Sequence, residues 1–393
     1  MKIGVVFATA WAALVVPALA AADPTLQPIQ PGQSYAIDLY SGVPLGNSAV
    51  IATGGASQAY SIGSSGTLVN ASAPAVRQTT DTDAWNWDYH VDWLIGSLSS
   101  DYANSGIANL PDGHAQTITL GGALRVHDWA GALTATYHTI GIDSTGGALD
   151  AQSWFVKLAL AKWFSKIDTS IGISIDTGSF DVVPDAPGAA QLFSIEGAGL
   201  EAGAQWIPRR ESFRVGASLV APITGSKVTI DQCTGATICM YLPDRVVTPA
   251  QLSAGVAYRW AETAWNQTVG GTFRDERSLT ALADVVITGP SPDAYGLDAF
   301  GIEQLERSGR HNSISVRGGV EYEWVPGRFR VRGGSYWEPN RFEGVAGRLH
   351  ATFGIEGRVF EFQAWGRRRG RITLTGDVAA GYRNLGLSIG FWH

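Results

Sequence analysis

Arg371-Ile-Thr-Leu-Thr-Gly-Asp-Val-Ala-Ala-Gly-Tyr382, then Arg383-Asn384, then Leu385-Gly-Leu-Ser-Ile-Gly-Phe-Trp392 is the stretch whose reading decides the fold. In its first run Ile372, Leu374, Gly376, Val378, Ala380 and Tyr382 share one face, and Thr373, Thr375, Asp377, Ala379 and Gly381 share the other. In the second, Leu385, Leu387, Ile389 and Phe391 oppose Gly386, Ser388 and Gly390. Strand side chains alternate faces, so each run is apolar on one side and small or polar on the other. Two such runs joined at Arg383-Asn384 predict a hairpin. An apolar face ending in an aromatic pair near the C-terminus is the pattern of a membrane barrel strand.

Working outward, alternating runs begin at Trp85. Trp87, Tyr89, Val91, Trp93 and Ile95 oppose Asn86, Asp88, His90 and Asp92. Ile118, Leu120, Leu124 and Val126 oppose Thr117, Thr119 and Arg125, and Ile167, Ile171, Ile173 and Ile175 oppose Asp168, Ser170, Ser174 and Asp176. A run from Leu192 to Trp206 slips phase near Glu196–Gly199, where a bulge is expected. Ile314, Val316, Val320, Tyr322 and Trp324 oppose Ser315, Arg317, Glu321 and Glu323, and Phe329, Val331 and Trp337 oppose Arg328, Arg330 and Arg332. The runs add up to about fourteen strands, an even number as is usual for single-chain barrels. Short connections such as His127-Asp-Trp-Ala-Gly131 follow even strands. Long ones, at 99–113, 177–190, 223–247 and 289–311, follow odd strands. Short turns on one side and long loops on the other is the barrel arrangement, although 261–277 and 358–370 are long for turns. Trp129, Trp163, Trp206, Trp260, Trp324 and Trp392 fall on the turn side, as an interfacial aromatic girdle would.

Composition agrees. Charged residues make up 16% of the 393 residues, against about 25% in soluble domains. Glycine is abundant at 48 residues while Met and Cys number 2 each. The net charge of −7 leaves no basic footprint for nucleic acid. Lys2, the apolar Ile3 to Val16 and Ala18-Leu19-Ala20 read as a signal peptide over residues 1–22. Residues 23–82 are rich in Gly, Ser, Ala and Thr yet carry Ile37, Leu39, Val50, Ile51 and Leu68, too apolar for a solvated linker. They are expected to pack as a plug, with the barrel occupying 83–393. Cys233 and Cys239 lie in a Thr/Gly-rich stretch without other metal ligands nearby, and a disulfide closing that loop is expected.

If one strand face meets lipid, the other lines a wet lumen. The lumen inventory includes Asp88, His90, Asp92, Arg125, His138, Asp168, Asp176, Glu201, Arg214, Arg259, Asp284, Arg317, Glu321, Glu323, Arg330, Arg332, His350, Glu356 and Asp377. Ion pairs bracing a plugged lumen and a charged constriction with basic residues at 328–332 both accommodate it. Asp88, His90 and Asp92 share a face about 6–7 Å apart, a spacing open to a bound ion, a bridging water or a surface hydrolase site. Polar lumen faces are the norm in barrels. Among motifs of phosphate-binding, serine-hydrolase or zinc-protease type, none is present.

With these residues in view, the chain resembles the FadL-type outer-membrane family, which includes PorV-like barrels. Thr53-Gly54-Gly55-Ala56 is similar to the family's glycine-pair hatch segment. Asn70-Ala-Ser-Ala-Pro-Ala75 resembles its Asn-Pro-Ala motif, with Asn70 matching and the proline displaced. The resemblance implies a fourteen-strand barrel with an N-terminal hatch, in the bacterial outer membrane. It also implies passive uptake of hydrophobic compounds such as long-chain fatty acids, without a cofactor or catalysis. Ligand-path candidates are then Asn70, Asp88, His90, Asp92, Arg317, Glu321, Arg330 and Arg332, with Gly54, Gly55 and Asn70 in the hatch. Outer-membrane lipid and lipopolysaccharide, a hydrophobic small molecule and, through the C-terminal strand, the barrel-assembly machinery are the implied partners. A PorV-like scaffold without transport is the alternative. Uptake requires an apolar cavity between hatch and wall.

Overall fold

The computed structural model describes residues 25–30, 32–40, 42–44, 47–77, 83–97, 101, 103–107, 114–144, 147–184, 193–227, 242–269 and 273–391. The leader expected at 1–22, the Cys233–Cys239 pair and the terminal Trp392-His393 lie outside the described residues.

Fourteen antiparallel strands close into a barrel. They are β1 (Trp85–Ser97), β2 (His114–Val126), β3 (Trp129–Ser144), β4 (Gly147–Phe164), β5 (Thr169–Pro184) and β6 (Phe193–Trp206). Then follow β7 (Phe213–Val220), β8 (Gln251–Ala261), β9 (Ser278–Thr288) and β10 (Ser313–Val325). The last are β11 (Phe329–Glu338), β12 (Arg348–Gln363), β13 (Arg367–Ala379) and β14 (Tyr382–Phe391). Sequential neighbours pair throughout, and β14 pairs with β1, from Arg383 opposite Ser97 to Gly390 opposite His90, so no edge is left open at closure.

The alternation sets which face is which. Ile171, Ile173 and Ile175 are 42%, 61% and 53% exposed, whereas Ser170 and Ser174 are buried. Leu374 and Leu385 point outward while Thr373, Thr375, Asp377 and Ser388 are buried inside. A soluble sandwich would bury these faces the other way round. An apolar exterior around a polar interior is a transmembrane barrel. Trp129, Trp206, Trp260 and Trp324 face outward at the turn side. Trp163 does not join them: it shares the inward parity of Ala159 and Ala161, and the outward neighbour is Phe164.

Other details differ from the sequence reading. The final hairpin turns at Ala380-Gly381, with Gly381 at φ 63°, and Ala379 pairs with Tyr382. Glycine supplies the left-handed backbone that a tight hairpin needs, so Arg383-Asn384 belongs to β14 and Tyr382 points into the lumen, 2% exposed. Glu196–Gly199 pairs without a register shift to Asp176–Ser179, because the small outward Ala198 and inward glycines only mimic a phase slip. Register shifts occur instead at Glu323/Val325 and Arg358/Phe360. The second turns both Val359 and Phe360 outward. Residues 177–184 extend β5 rather than forming a loop, and 358–363 with 367–370 lengthen β12 and β13. Asp168 leaves the lumen set: it sits in the turn after β4 at φ 49° and pairs with Arg209 at 2.7 Å.

The lumen is filled from the N-terminal segment. The strand Ala36–Asp38 runs parallel to both Arg245–Thr248 and Ala294–Gly296, within a five-stranded sheet completed by Ile223–Thr224 and Arg307–Ser308. These partners come from the long loops, so chain start and loops together lid the outer mouth. Tyr35, Ile37, Phe180, Ile195, Phe300 and Leu305 form its apolar core. A buried Arg341–Asp38 pair at 3.0 Å ties it to the loop after β11. Below the lid, α1 (Ser48–Ala52), α2 (Gly63–Gly66) and the 3-10 turn Ala73–Ala75 form a hatch across the lumen.

Candidate functional site

Short helices leave their first amide groups without intrahelical partners, and the wall supplies acceptors. Asp92 accepts from Ser48 N at 2.8 Å and Asp88 from Ser64 N at 2.9 Å. Asp284 accepts from Ser57 N and Gln58 N at 2.6 and 2.9 Å, and Glu201 from Ala71 N at 2.8 Å. His90 Nδ1 lies 2.9 Å from Ser64 Oγ. The Asp-x-His-x-Asp face therefore anchors the hatch and opens onto neither cavity described below.

Wall glycines let the hatch backbone touch the strands. Gly54 and Gly55 both have positive φ, 65° and 73°. A Cβ on Gly54 would meet Gly318 O and Ser335 N at 2.7 Å. Facing them, a Cβ at Gly319 would collide with the Thr53 carbonyl and one at Gly334 with Gly54 N. Two Arg-Gly-Gly segments, Arg317–Gly319 and Arg332–Gly334, thus receive the hatch's own glycine pair. Asn70 is fully buried; its Nδ2 donates to Ala217 O at 3.1 Å and Ala204 O at 3.3 Å on adjacent strands, while its Oδ1 accepts from Ser72 Oγ at 2.7 Å. It is a hatch anchor that bridges β6 and β7.

Two cavities flank the hatch. The upper one, about 280 Å³, lies between lid, hatch and the wall of β3–β5, with Val220 of β7. Leu39, Leu68, Ile140, Phe155, Phe180 and Leu297 line its apolar part, and His138 with the Lys157–Asp176 pair at 3.6 Å marks a polar end. Lys157 also binds Glu201, the residue that holds Ala71 of the hatch. A mainly apolar cavity between hatch and wall is thus present.

The lower cavity, about 140 Å³, opens beneath the hatch toward the turns. Arg330 and Arg332 reach it braced by Glu321, Glu323 and Glu356: Arg330 Nε–Glu323 is 3.1 Å, Arg332 to Glu321 2.7 Å and to Glu356 2.9 Å. Tyr60 of the hatch donates to Glu321 at 2.7 Å. Of the sequence-derived path candidates, Glu321, Arg330 and Arg332 line this cavity, while Arg317 packs against Gly55.

Sequence reasoning missed the floor. Residues 262–269 and 273–277 form more than a simple turn: Trp265 is 4% exposed beneath Tyr60, rings 5.8 Å apart. Arg274 donates to the carbonyls of Trp265 at 2.8 Å and Ala264 at 3.0 Å. Arg369 holds Asp275 at 2.5 Å. The signal available was the unusual length of this connection together with its buried-type tryptophan.

No family model and no curated protein matches the chain. Solved structures do. A FadL homologue of Pseudomonas aeruginosa is 13% identical, with 91% of this chain and 98% of that one covered and a TM-score of 0.53. The Pseudomonas putida toluene transporter TodX is 12% identical, with 91% and 99% covered and a TM-score of 0.51. At such identities the likeness speaks for architecture, and the architecture is that of a FadL-type barrel: fourteen strands closed around an N-terminal hatch.

Proposed function

We propose that this protein is an outer-membrane channel for small hydrophobic compounds, passive and non-enzymatic, with the upper cavity as its binding site. The carrying observation is a mainly apolar space of about 280 Å³ shared by lid, hatch and wall. Apolar pockets bind by removing ligand surface from water. Lipopolysaccharide blocks such solutes outside, so a site that desolvates them inside the barrel is what uptake requires. The similarity of fold to a toluene transporter supports the reading.

Size narrows the ligand. A cavity of about 150 Å³ takes one benzene, so this one suits a compact molecule of one or two rings, or a short chain. An extended long-chain acid fits only with hatch or lid displaced. The test is binding of toluene, naphthalene and hexadecanoate to the purified barrel in detergent, followed by flux into proteoliposomes. Saturable toluene or naphthalene binding, weakened at least tenfold by Ala151→Trp, is expected. Failure of all three ligands to bind, or indifference to Ala151→Trp, removes the proposal.

A further inference from the structure

The lower cavity carries a charge imbalance that its own residues do not resolve. Arg330, Arg332 and Arg371 are matched by Glu321, Glu323 and Glu356, and Arg369 by Asp275. Arg214 has no carboxylate within ion-pair distance among the described residues, and Arg259 and Arg274 share one carboxylate, Glu276. Arg274 Nε takes it at 2.5 Å and Arg259 reaches only 3.7 Å. Arg259 Nε is buried with no partner. Arg214 is 4% exposed, and its guanidinium makes one hydrogen bond among the described residues, from Nε to Asn266 Oδ1 at 2.8 Å. It lies over the Trp265 ring, 3.9 Å from the centroid, which fixes its plane. Arginine does not shed its proton in proteins, and buried charge demands a counter-charge. Both guanidiniums line the same cavity, whose hatch side is Tyr60 and Ile62.

We propose that this cavity binds a small organic oxyanion. Its carboxylate or phosphate is held between Arg214 and Arg259, and its apolar part packs against Ile62, Tyr60 and Trp265. A planar guanidinium suits either oxyanion because it presents paired donors, and a preoriented one loses little freedom on binding. The site is separate from the upper cavity and stands whatever that cavity holds.

Isothermal titration of the full-length barrel in uncharged detergent tests it, with benzoate, phenyl phosphate, inorganic phosphate and neutral benzyl alcohol as probes. Saturable binding of benzoate or phenyl phosphate, weakened at least tenfold in Arg259→Gln and by raised salt, is expected; the tighter of the two identifies the oxyanion. Arg214→Lys, which keeps the charge but loses the planar fork, should weaken binding as well, with unchanged circular dichroism showing that the barrel is intact. The proposal falls if no anion saturates, if benzyl alcohol matches benzoate, if inorganic phosphate matches phenyl phosphate, or if folded Arg259→Gln binds like the parent.

Discussion

Asp284 holds two consecutive hatch amides on one carboxylate oxygen, Ser57 N and Gln58 N. Removing it orphans both in a site without bulk water, and each buried unpaired donor costs about 1–3 kcal/mol. Asp284→Ala should therefore lower the stability of the hatch by about 2–6 kcal/mol. Faster deuterium exchange at residues 57 and 58, with the barrel strands still protected, is the measurement. At this scale the sequence showed half of the picture. That Asp88, His90 and Asp92 share an inward face was legible from their spacing. What they face was not: Ser64 and Ser48, their partners, come 24 and 44 positions earlier, and a pairing that distant leaves no local pattern. Asn70 was legible only as a resemblance, and its bridging of Ala204 and Ala217 is a product of the closed barrel.

Elements meet here through glycine and through carboxylic acids. Gly334 leaves room for Gly54 N, so Gly334→Leu should push the hatch off β11 while leaving the ladder intact. Raised sensitivity of expressing cells to bulky apolar antibiotics would report it; unchanged sensitivity would mean that the hatch seals elsewhere. The lid carries a different device. Burial first, then Asp298 and Asp101, pushes the Glu306 carboxyl up to about 8, and burial with Asp101 pushes Asp298 up to about 6. An acid whose folded value is raised stabilises the fold while protonated. Its contribution is full below the ordinary carboxylate range and disappears as pH rises through about 8. Lid exchange over 289–308, corrected for intrinsic rate, should accelerate between pH 6 and 9 and lose most of that dependence in Glu306→Gln. Strand faces were readable because period-two alternation is local. The final turn was misplaced because Ala380 and Tyr382 extend the apolar rhythm past Gly381, and only φ at that glycine reveals where the chain reverses.

Across the whole molecule the lumen is closed three times, by lid, hatch and the floor of 262–269 and 273–277. Reconstituted in planar bilayers, the protein should show no steady conductance, and deletion of 47–77 alone should not open an ohmic pore, because lid and floor remain. A conducting parent would contradict the sealed lumen. Closure was the part least visible in the sequence, since the lid sheet draws strands from residues 36–38, 223–224, 245–248, 294–296 and 307–308, brought together only once the barrel stands. The wall around it is uneven. β7 has 8 residues, about 26 Å along its axis at strand rise and, tilted as barrel strands are, about 19 Å in height against a usual apolar band of about 25 Å. On β4, by contrast, the outward side chains from Trp154 to Phe164 are apolar except Lys162. Lipid tails beside β7 must shorten to match, so the bilayer should pinch on one flank of the molecule, giving it a preferred orientation toward neighbouring proteins in a thick membrane.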